Sequence, residues 1–265
     1  MKADFHVHTS FSFDSESAPE DIINAAIQKG LRTICITDHH DLDFAEPGWE
    51  VNFDKYFPKL LELQEKYKNQ IEVLIGMEFG LQKHLDGICG ELAHKYPFDF
   101  ILGSVHLFDG RDPYYPQYFM DKTDEEGFKR GFEITLENVK DASNFDVLGH
   151  MDYVVRYGHN REKDYSYKKY ADYLDEILRL IIQNGKGIEV NTSGWKYGLP
   201  FAHPHQDILK RYKELGGELL TIGSDGHRPE HVAYDFHKVK DYLKDCGFEY
   251  YTEFRQRKPY FCALY

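Results

Sequence analysis

Seven short apolar runs recur along the chain, and each ends in, or leads directly into, a histidine or a carboxylate. The runs begin at Ala3, Thr33, Val73, Phe100, Asp146, Gly187 and Leu220. Between them lie stretches in which apolar residues recur at helical spacing, as in residues 167–184. Strand-like runs that alternate with helix-like stretches are typical of a parallel sheet or barrel. The pattern therefore predicts seven strand-plus-helix units in a single α/β domain over residues 1–265.

The same periodicity, with Gly and Pro at the boundaries, predicts where the helices lie. They are expected at 19–29, 54–68, 86–95, 124–143, 167–184, 205–215 and 229–245. A tail at 248–254 is expected to add an edge strand. Two aromatic stretches, 41–53 and 107–121, fit neither period and each follows a strand that ends in histidine. We expect both over one face of the domain, either as loops that cover a substrate or as loops that only stabilise the barrel.

Side chains at the carboxyl ends of parallel strands converge on one face of a barrel. His6 and His8 are two residues apart, so on a strand they share a face and can bind the same ion. Glu78 ends a fully apolar strand, where a buried carboxylate without a partner would cost several kcal/mol. Together the strand ends and adjoining loops predict a metal centre. Its candidate ligands are His6, His8, Asp14, His39, Glu78, His106, His150, Asp225 and His227.

The number of candidate ligands bears on the number of ions. A catalytic zinc uses about three protein ligands plus water, so nine candidates suit two or three ions. Glu78 can bridge two of them because a carboxylate has two oxygens. Three divalent ions would outweigh the charge of the three carboxylates among the ligands and would attract a phosphate dianion.

Composition excludes several other classes of protein. The net charge is −13 and no stripe of Lys and Arg stands out, which argues against nucleic acid as the main partner. None of the four cysteines forms a CxxC pair, so we expect neither a zinc ribbon nor a disulfide framework. The first strand begins at once, so we expect no signal peptide. No apolar run is long enough for a membrane span. These features predict a cytoplasmic enzyme that acts on a small molecule.

Six of the strand ends carry motifs that identify a family. They are His6-Val7-His8, Thr37-Asp38-His39, Gly76-Met77-Glu78, Gly103-Ser104-Val105-His106, Gly149-His150-Met151-Asp152 and Gly223-Ser224-Asp225-Gly226-His227. In this order they resemble the motifs of the polymerase-and-histidinol-phosphatase (PHP) superfamily, over essentially the whole chain. The length, Asp14 (where some relatives have His), and the segments 152–156 and 189–192 resemble the monofunctional histidinol-phosphate phosphatases within it.

The resemblance implies a distorted, TIM-like (β/α)7 barrel with a trinuclear metal centre. One ion would take His6, His8, Glu78 and Asp225. A second ion would share Glu78 and add His106 and His150. A third would use Asp14, His39 and His227. The resemblance implies divalent ions, with Zn expected first and Fe or Mn as alternatives.

Four further residues are candidates for contact with substrate. Arg156 follows a metal-type strand end, and its guanidinium could hold a phosphate through two hydrogen bonds; otherwise it is a surface arginine. His40 adjoins His39 and could contact substrate or protonate the leaving alkoxide, or it could be a capping histidine. Asn191 and Ser193 end the strand that carries no predicted ligand and could also touch substrate.

The function expected from this set is metal-dependent hydrolysis of a phosphate monoester, with L-histidinol phosphate, an intermediate of histidine biosynthesis, as the preferred substrate. A water bridging two ions would attack phosphorus, and Glu78, Asp225, His40 and Arg156 are the candidate catalytic residues. The alternatives are a phosphoesterase acting on nucleotides or another small phosphate ester, an exonuclease-like activity, and a non-catalytic metal-binding module.

Overall fold

The computed structural model describes residues 1–264 and places the strands where the apolar runs lie. The strands are β1 (Ala3–Val7), β2 (Thr33–Ile36), β3 (His39–His40), β4 (Glu72–Gly80), β5 (Phe100–Ser104), β6 (Val147–Leu148), β7 (Gly187–Asn191), β8 (Leu220–Gly223), β9 (Tyr250–Arg255) and β10 (Lys258–Ala263). The two-residue strand β3 was not predicted separately, and it aligns His39 with Glu78 of β4.

The helices follow the expected bounds to within a few residues in most cases. They are α1 (Pro19–Gln28), α2 (Phe53–Tyr67), α3 (Asp86–Lys95), α4 (Asp124–Asp141), α5 (Ala171–Gln183), α6 (Ser193–Lys196), α7 (Gln206–Glu214) and α8 (Phe236–Asp245). Helix α4 begins at a reciprocal cap, in which Thr123 and Glu126 each accept a hydrogen bond from the other's backbone N–H. Among the helices of residues 1–264, none combines the length and the apolar character needed to cross a bilayer.

The first eight strands form a parallel, nearly closed barrel. The strand order is β1-β2-β4-β5-β6-β7-β8, and β3 extends the sheet beside β4. Hydrogen bonds from His8 N to Gly226 O (2.9 Å) and from Asp225 N to His6 O (2.8 Å) link the last strand region back to the first. The predicted distorted (β/α)7 barrel is therefore confirmed, and its closure brings the first and last motifs of the sequence side by side.

The predicted helix over 229–245 is wrong in its first half. A short 3-10 turn at Pro229–His231 is followed by irregular chain, in which Ala233 and Asp235 have positive φ, before α8 begins. The fully buried carboxylate of Asp4 accepts hydrogen bonds from Ala233 N (2.8 Å) and from Ser224 N (3.0 Å). The backbone at Ala233 therefore donates to the buried carboxylate of Asp4 instead of continuing as a helix.

The predicted edge strand at 248–254 is instead the first half of a hairpin. Strands β9 and β10 pair antiparallel and form a separate two-stranded sheet at the amino-terminal end of the barrel. Thr252 Oγ1 accepts from Leu220 N (3.1 Å), and Arg257 Nε donates to Asp146 Oδ1 (3.0 Å). The hairpin therefore caps the end of the barrel opposite to the predicted metal ligands.

The buried hydrophobic cluster runs from Ala3 to Leu264 and includes residues of the barrel, the helices and the hairpin. One shared core is what a single domain requires, and a single domain over residues 1–265 stays our prediction. The four cysteines are free thiols, three of them buried.

Replacing Phe254 by Ala should lower the free energy of unfolding by about 3–5 kcal/mol, because a large ring is removed from a core that cannot close around the gap. Phe254 is buried, with its ring 5.2 Å from that of Phe100 on the barrel floor. The matched control is Phe261→Ala on the exposed face of β10, expected to cost under about 1 kcal/mol. Denaturant titration measures both, and equal effects would mean that the hairpin is not part of the core.

Candidate metal centre

Glu78 lies at the centre of a buried group of histidines. Its carboxylate is fully buried at the carboxyl half of β4, and Ser104 Oγ donates to Oε1 at 2.6 Å. Five imidazole nitrogens surround the two oxygens at 3.0–3.5 Å. They belong to His6, His8, His39, His106 and His150. Burial raises the pKa of Glu78, but the surrounding histidines outweigh that effect and hold it well below its usual value.

The other three predicted ligands complete the cluster on one side. Asp225 Oδ1 lies 3.6 Å from His8 Nε2 and 3.5 Å from His227 Nδ1. Asp14 Oδ2 lies 3.0 Å from His227 Nε2 and 3.7 Å from His39 Nε2. The structure therefore brings all nine predicted ligand side chains into one continuous cluster at the carboxyl ends of the strands.

Asp225 reaches this position through an unusual backbone conformation. Its φ is +53°, in the left-handed region that residues other than Gly adopt at a cost of about 1 kcal/mol or more. Its N–H donates to His6 O, so the strained residue is fixed directly against β1. The strain turns the chain sharply after Ser224, and both Asp225 and His227 reach the cluster.

Several nitrogen and oxygen atoms of the cluster that could bind a metal ion are buried without a hydrogen-bond partner. They include His6 Nε2, His8 Nε2, His227 Nε2 and Glu78 Oε2. Leaving such atoms unsatisfied costs about 1–3 kcal/mol each, and more when the group is charged. Imidazole nitrogens and carboxylate oxygens aimed at a common point are the ligands that zinc and similar divalent ions prefer. The residues present therefore fit a metal centre.

The donor atoms fall into overlapping triads, each with its atoms within 4.8 Å of one another. The triads are His6–His8–Glu78, His6–His150–Asp225, Glu78–His106–His150, His8–His39–His227 and His39–Asp41–His106. The overlap is consistent with a multinuclear centre. The first and third triads match parts of the first two ions assigned above. The full distribution of ligands among three ions stays a prediction.

The carboxylates in the cluster draw protons onto three of the histidines. Burial alone would lower the pKa of His6, His39 and His106, but neighbouring carboxylates raise all three, that of His106 to about 10. Burial dominates at His8 and His150, whose pKa values are lowered. Because imidazole must be neutral to bind a metal, ion binding has to displace protons from the first three.

Glu189 was not assigned a role from the sequence, and it orients two predicted ligands. Its Oε1 lies 2.6 Å from His6 Nδ1, and its Oε2 accepts from His150 N at 3.0 Å. The contact fixes the His6 ring so that Nε2 faces Glu78. Gly223 makes room for this contact, because a Cβ there would lie 2.2 Å from Glu189 Oε1. A carboxylate inside an apolar strand was the available signal, the same signal that identified Glu78.

Asp41 was also missed, and it plays the same part on the opposite side. Its Oδ1 accepts from His106 Nδ1 at 3.0 Å, and its Oδ2 lies 3.3 Å from His39 Nδ1. Gly80 is required beside it, because a Cβ there would lie 1.9 Å from Asp41 Oδ1. Asp41 therefore orients His106 and can also serve as a ligand. Its position directly after His39-His40 was the only hint in the sequence.

Arg156 is buried rather than exposed, so it is not a surface arginine. Its Nη1 donates to Ser193 Oγ (3.2 Å) and its Nη2 to Tyr157 OH (2.9 Å), while its guanidinium stacks 4.3 Å from the Tyr197 ring. Its Nε is buried without a partner. Ser193 therefore helps to hold the guanidinium of Arg156 in place in this structure. Asn191 lies deeper, with Nδ2 donating to Glu189 Oε2 at 3.1 Å.

Lys196 is a second cation near the cluster, and it was not predicted from the sequence. Its Nζ donates to the backbone oxygen of Asp225 at 2.7 Å. Burial lowers its pKa, and the nearby charges of Asp225 and Arg156 act in opposite directions on it. Two positively charged side chains therefore accompany the cluster, and both contact the ring of Tyr197.

His40 lies on the other side of the strand from His39. Its Nδ1 accepts from Val51 N at 3.1 Å, and its ring packs against Phe53 and Phe79. Burial lowers its pKa to about 4, so it is neutral at pH 7. The geometry favours the capping alternative over the substrate contact or proton donor expected for His40. The reason is the period of two along a strand, which turns adjacent side chains to opposite faces.

The two aromatic loops flank the cluster as expected. In the loop 41–53, Trp49 is buried, and its ring lies 5.5 Å from that of His39. The Phe44 ring stacks on the Trp49 ring at a centroid distance of 4.2 Å. In the loop 107–121, the Tyr114 ring lies 6.0 Å from that of Tyr157, next to Arg156. The loops therefore contribute both packing and walls to the site.

Comparison with known proteins places the chain in a family. The model of the PHP domain matches residues 4–193. The histidinol-phosphatase of Lactococcus lactis is 31% identical over 97% of this chain and 96% of its own length. A probable histidinol-phosphatase of Clostridium acetobutylicum is 34% identical over 93% of this chain and 94% of its own.

A solved structure agrees with these matches. The crystal structure of the Lactococcus lactis histidinol phosphate phosphatase, complexed with zinc, L-histidinol and phosphate, superposes with a TM-score of 0.87. It is 32% identical and covers 98% of both chains. The fold and the cluster define a metal-binding barrel of the phosphoesterase type, and the chain belongs to the PHP domain family.

Replacing Glu189 by Gln should weaken the binding of metal by about 10–100-fold, because an amide cannot accept from His6 and from the donors on its other side at once. Competition with a chelator followed by elemental analysis measures the affinity. Glu218→Gln, an exposed substitution on a neighbouring segment, is the control. An unchanged affinity in Glu189→Gln would contradict the orienting role.

Replacing His40 by Asn should remove a pH-dependent part of the stability. The folded pKa is below the ordinary value of 6.5, so this contribution is complete above about pH 6.5 and is lost as the pH falls towards 4. The shift corresponds to about 3 kcal/mol. Unfolding of metal-free wild type and variant should therefore show a difference that shrinks between pH 7.5 and pH 4.5. Parallel profiles would contradict this, and a hundredfold loss of kcat in the folded variant would restore His40 as a catalytic candidate.

Proposed function

We propose that this protein is a metal-dependent histidinol-phosphate phosphatase, which hydrolyses L-histidinol phosphate to L-histidinol and inorganic phosphate. The observation that carries the proposal is the cluster of nine ligand-type side chains, seven of them buried, with Arg156 beside it. The similarity to the Lactococcus lactis enzyme extends over almost the whole of both chains.

We propose zinc as the resident metal, because histidine-rich donor sets suit zinc and because the Lactococcus lactis structure contains it. Three ions would be held by the nine ligands as the family resemblance implies, with Glu78 shared between two of them. When bound, divalent ions supply a water of lowered pKa and positive charge for the phosphoryl oxygens. Iron and manganese remain alternatives for the same ligands.

The charges of the side chains favour a phosphate dianion once ions are bound. Three divalent ions would bring six positive charges against five nearby carboxylates. These carboxylates belong to Asp14, Asp41, Glu78, Glu189 and Asp225. Arg156 and Lys196 add two positive charges close to Asp225. The positive excess is therefore local to the site, although the protein as a whole carries a net charge of −13.

Arg156 holds the phosphate in this proposal. Hydrogen bonds to Ser193 and Tyr157 fix two of its nitrogens, and three tyrosine rings lie within 5.0 Å of its guanidinium carbon. A guanidinium held in this way loses little conformational freedom when it binds an anion. Ser193 and Asn191 then act by positioning other groups. His40 is left out of the reaction because its ring faces Phe53 and Phe79.

The purified protein with its metal content measured should release phosphate from L-histidinol phosphate faster than from nucleotides, sugar phosphates or a phosphodiester. Treatment with a chelator should abolish the activity, and zinc should restore it. Preference for a nucleotide or another small ester would move the protein elsewhere in its family. Full metal loading without hydrolysis of any substrate would instead indicate a non-catalytic role.

Replacing Glu78 by Gln should lower both the metal content and kcat, the latter by at least about a hundredfold, because the carboxylate that two ions would share would lose its negative charge. Elemental analysis and phosphate release measure the two effects on the same sample. Survival of activity with intact metal content would show that Glu78 does not bridge the ions.

A further inference from the structure

A cleft of about 390 Å³ lies between the two aromatic loops. One wall comes from residues 43–46 of the first loop, and the other from residues between Leu107 and Gln117 of the second. Both loops leave the carboxyl ends of barrel strands, and Leu107 directly follows the predicted ligand His106. The cleft therefore lies at the same end of the barrel as the metal centre.

The lining of the cleft combines acidic and aromatic side chains. Asp43, Glu46 and Asp112 carry negative charge, and Phe44 and Tyr115 present aromatic rings. Glu46 from the first loop lines the same cleft as Asp112 and Tyr115 from the second, so the two loops face each other across it. Carboxylates beside aromatic rings are the surroundings that organic cations prefer.

Two charged groups of the lining already have partners. Asp43 Oδ2 lies 2.7 Å from His84 Nε2, and Arg111 Nη1 donates to Gln117 O at 3.2 Å. Within residues 1–264, the hydrogen bonds that Asp112 accepts come from neutral donors, Tyr114 N at 2.8 Å and Tyr153 OH at 3.3 Å. Burial raises the pKa of Asp112, and a cation beside it would offset that effect. Asp112 and Glu46 are therefore the carboxylates most suited to a cationic ligand.

A chain of hydrogen bonds connects this cleft with Arg156. Arg156 Nη2 donates to Tyr157 OH (2.9 Å), Tyr157 OH donates to Tyr153 OH (3.3 Å), and Tyr153 OH donates to Asp112 Oδ1 (3.3 Å). The Tyr153 ring also lies 4.9 Å from that of the predicted ligand His150. The anion-binding arginine and the cleft carboxylate are thus two ends of one continuous wall that passes the metal centre.

We propose that the cleft binds the cationic end of the substrate, an aliphatic amine with a flat nitrogen-containing ring. Asp112 pairs with the ammonium group, while Glu46, Phe44 and Tyr115 contact the ring. The inference rests on the proposed function, because it assigns the phosphate end of the same molecule to the metal centre and Arg156. It makes the two aromatic loops the determinants of substrate preference.

The test compares Asp112→Asn and Glu46→Gln with the wild-type enzyme on two substrates. For L-histidinol phosphate each variant should lower kcat/KM by about tenfold or more, since a charge-assisted hydrogen bond is lost. For p-nitrophenyl phosphate, whose organic part carries no positive charge, kcat/KM should stay within about twofold. L-histidinol, which has no phosphate, should inhibit the variants more weakly, whereas inhibition by inorganic phosphate should be unchanged.

Matched controls are Glu50→Gln and Asp121→Asn, which remove an exposed carboxylate from each loop outside the cleft. Both should leave the two substrates and both inhibitors unaffected. Metal content and thermal unfolding of every variant establish that the centre and the fold are intact.

The outcomes separate this inference from the proposed function. If the wild type prefers L-histidinol phosphate but Asp112→Asn and Glu46→Gln keep that preference, the cleft assignment is overturned. Equal losses on both substrates would also overturn it, because Asp112 would then act on Arg156 through Tyr153 and Tyr157. If the wild type hydrolyses p-nitrophenyl phosphate but not L-histidinol phosphate, the proposed function itself fails.

Discussion

The buried carboxylate of Glu78 is the constraint around which the active face of this barrel is organised. A charged group with no exposed surface would be strongly destabilising without compensation. Five histidines from four separate segments of chain compensate it, and their own burial is tolerated because the carboxylate is there. A divalent ion between these groups would satisfy both at once, so metal binding and the stability of this face are coupled.

The ligand side chains are in turn held by an outer set of polar groups. Glu189 and Asp41 fix the rings of His6 and His106 from opposite sides. Ser12 fixes His8 through its hydroxyl, which also donates to the buried carboxylate of Asp38. These contacts leave His6, His8 and His106 each with one nitrogen, Nε2, that faces Glu78. The cluster is therefore organised before any ion or substrate arrives, which reduces the entropic cost of binding.

Stability and function are divided between the two ends of the barrel. At the amino-terminal end, the hairpin of β9 and β10 covers the strand starts with Phe254 in the core and Arg257 paired to Asp146. At the other end the loops carry the metal centre, Arg156 and the cleft. Because the hairpin closes the barrel without using these loops, their sequences can vary with the substrate while the fold is kept.

The sequence by itself determined the seven strand-plus-helix units, most helix positions and the nine ligand-type side chains, because strand and helix periods and strand-end positions are local properties of the chain. It could not assign Glu189 to His6, since the two residues are 183 positions apart and meet only after the barrel closes. Nor could it show which way His40 faces, that the tail folds into a hairpin, or that Asp4 ends the predicted last helix early. These features depend on burial and on hydrogen-bond partners from distant segments, and only the tertiary structure brings such partners together.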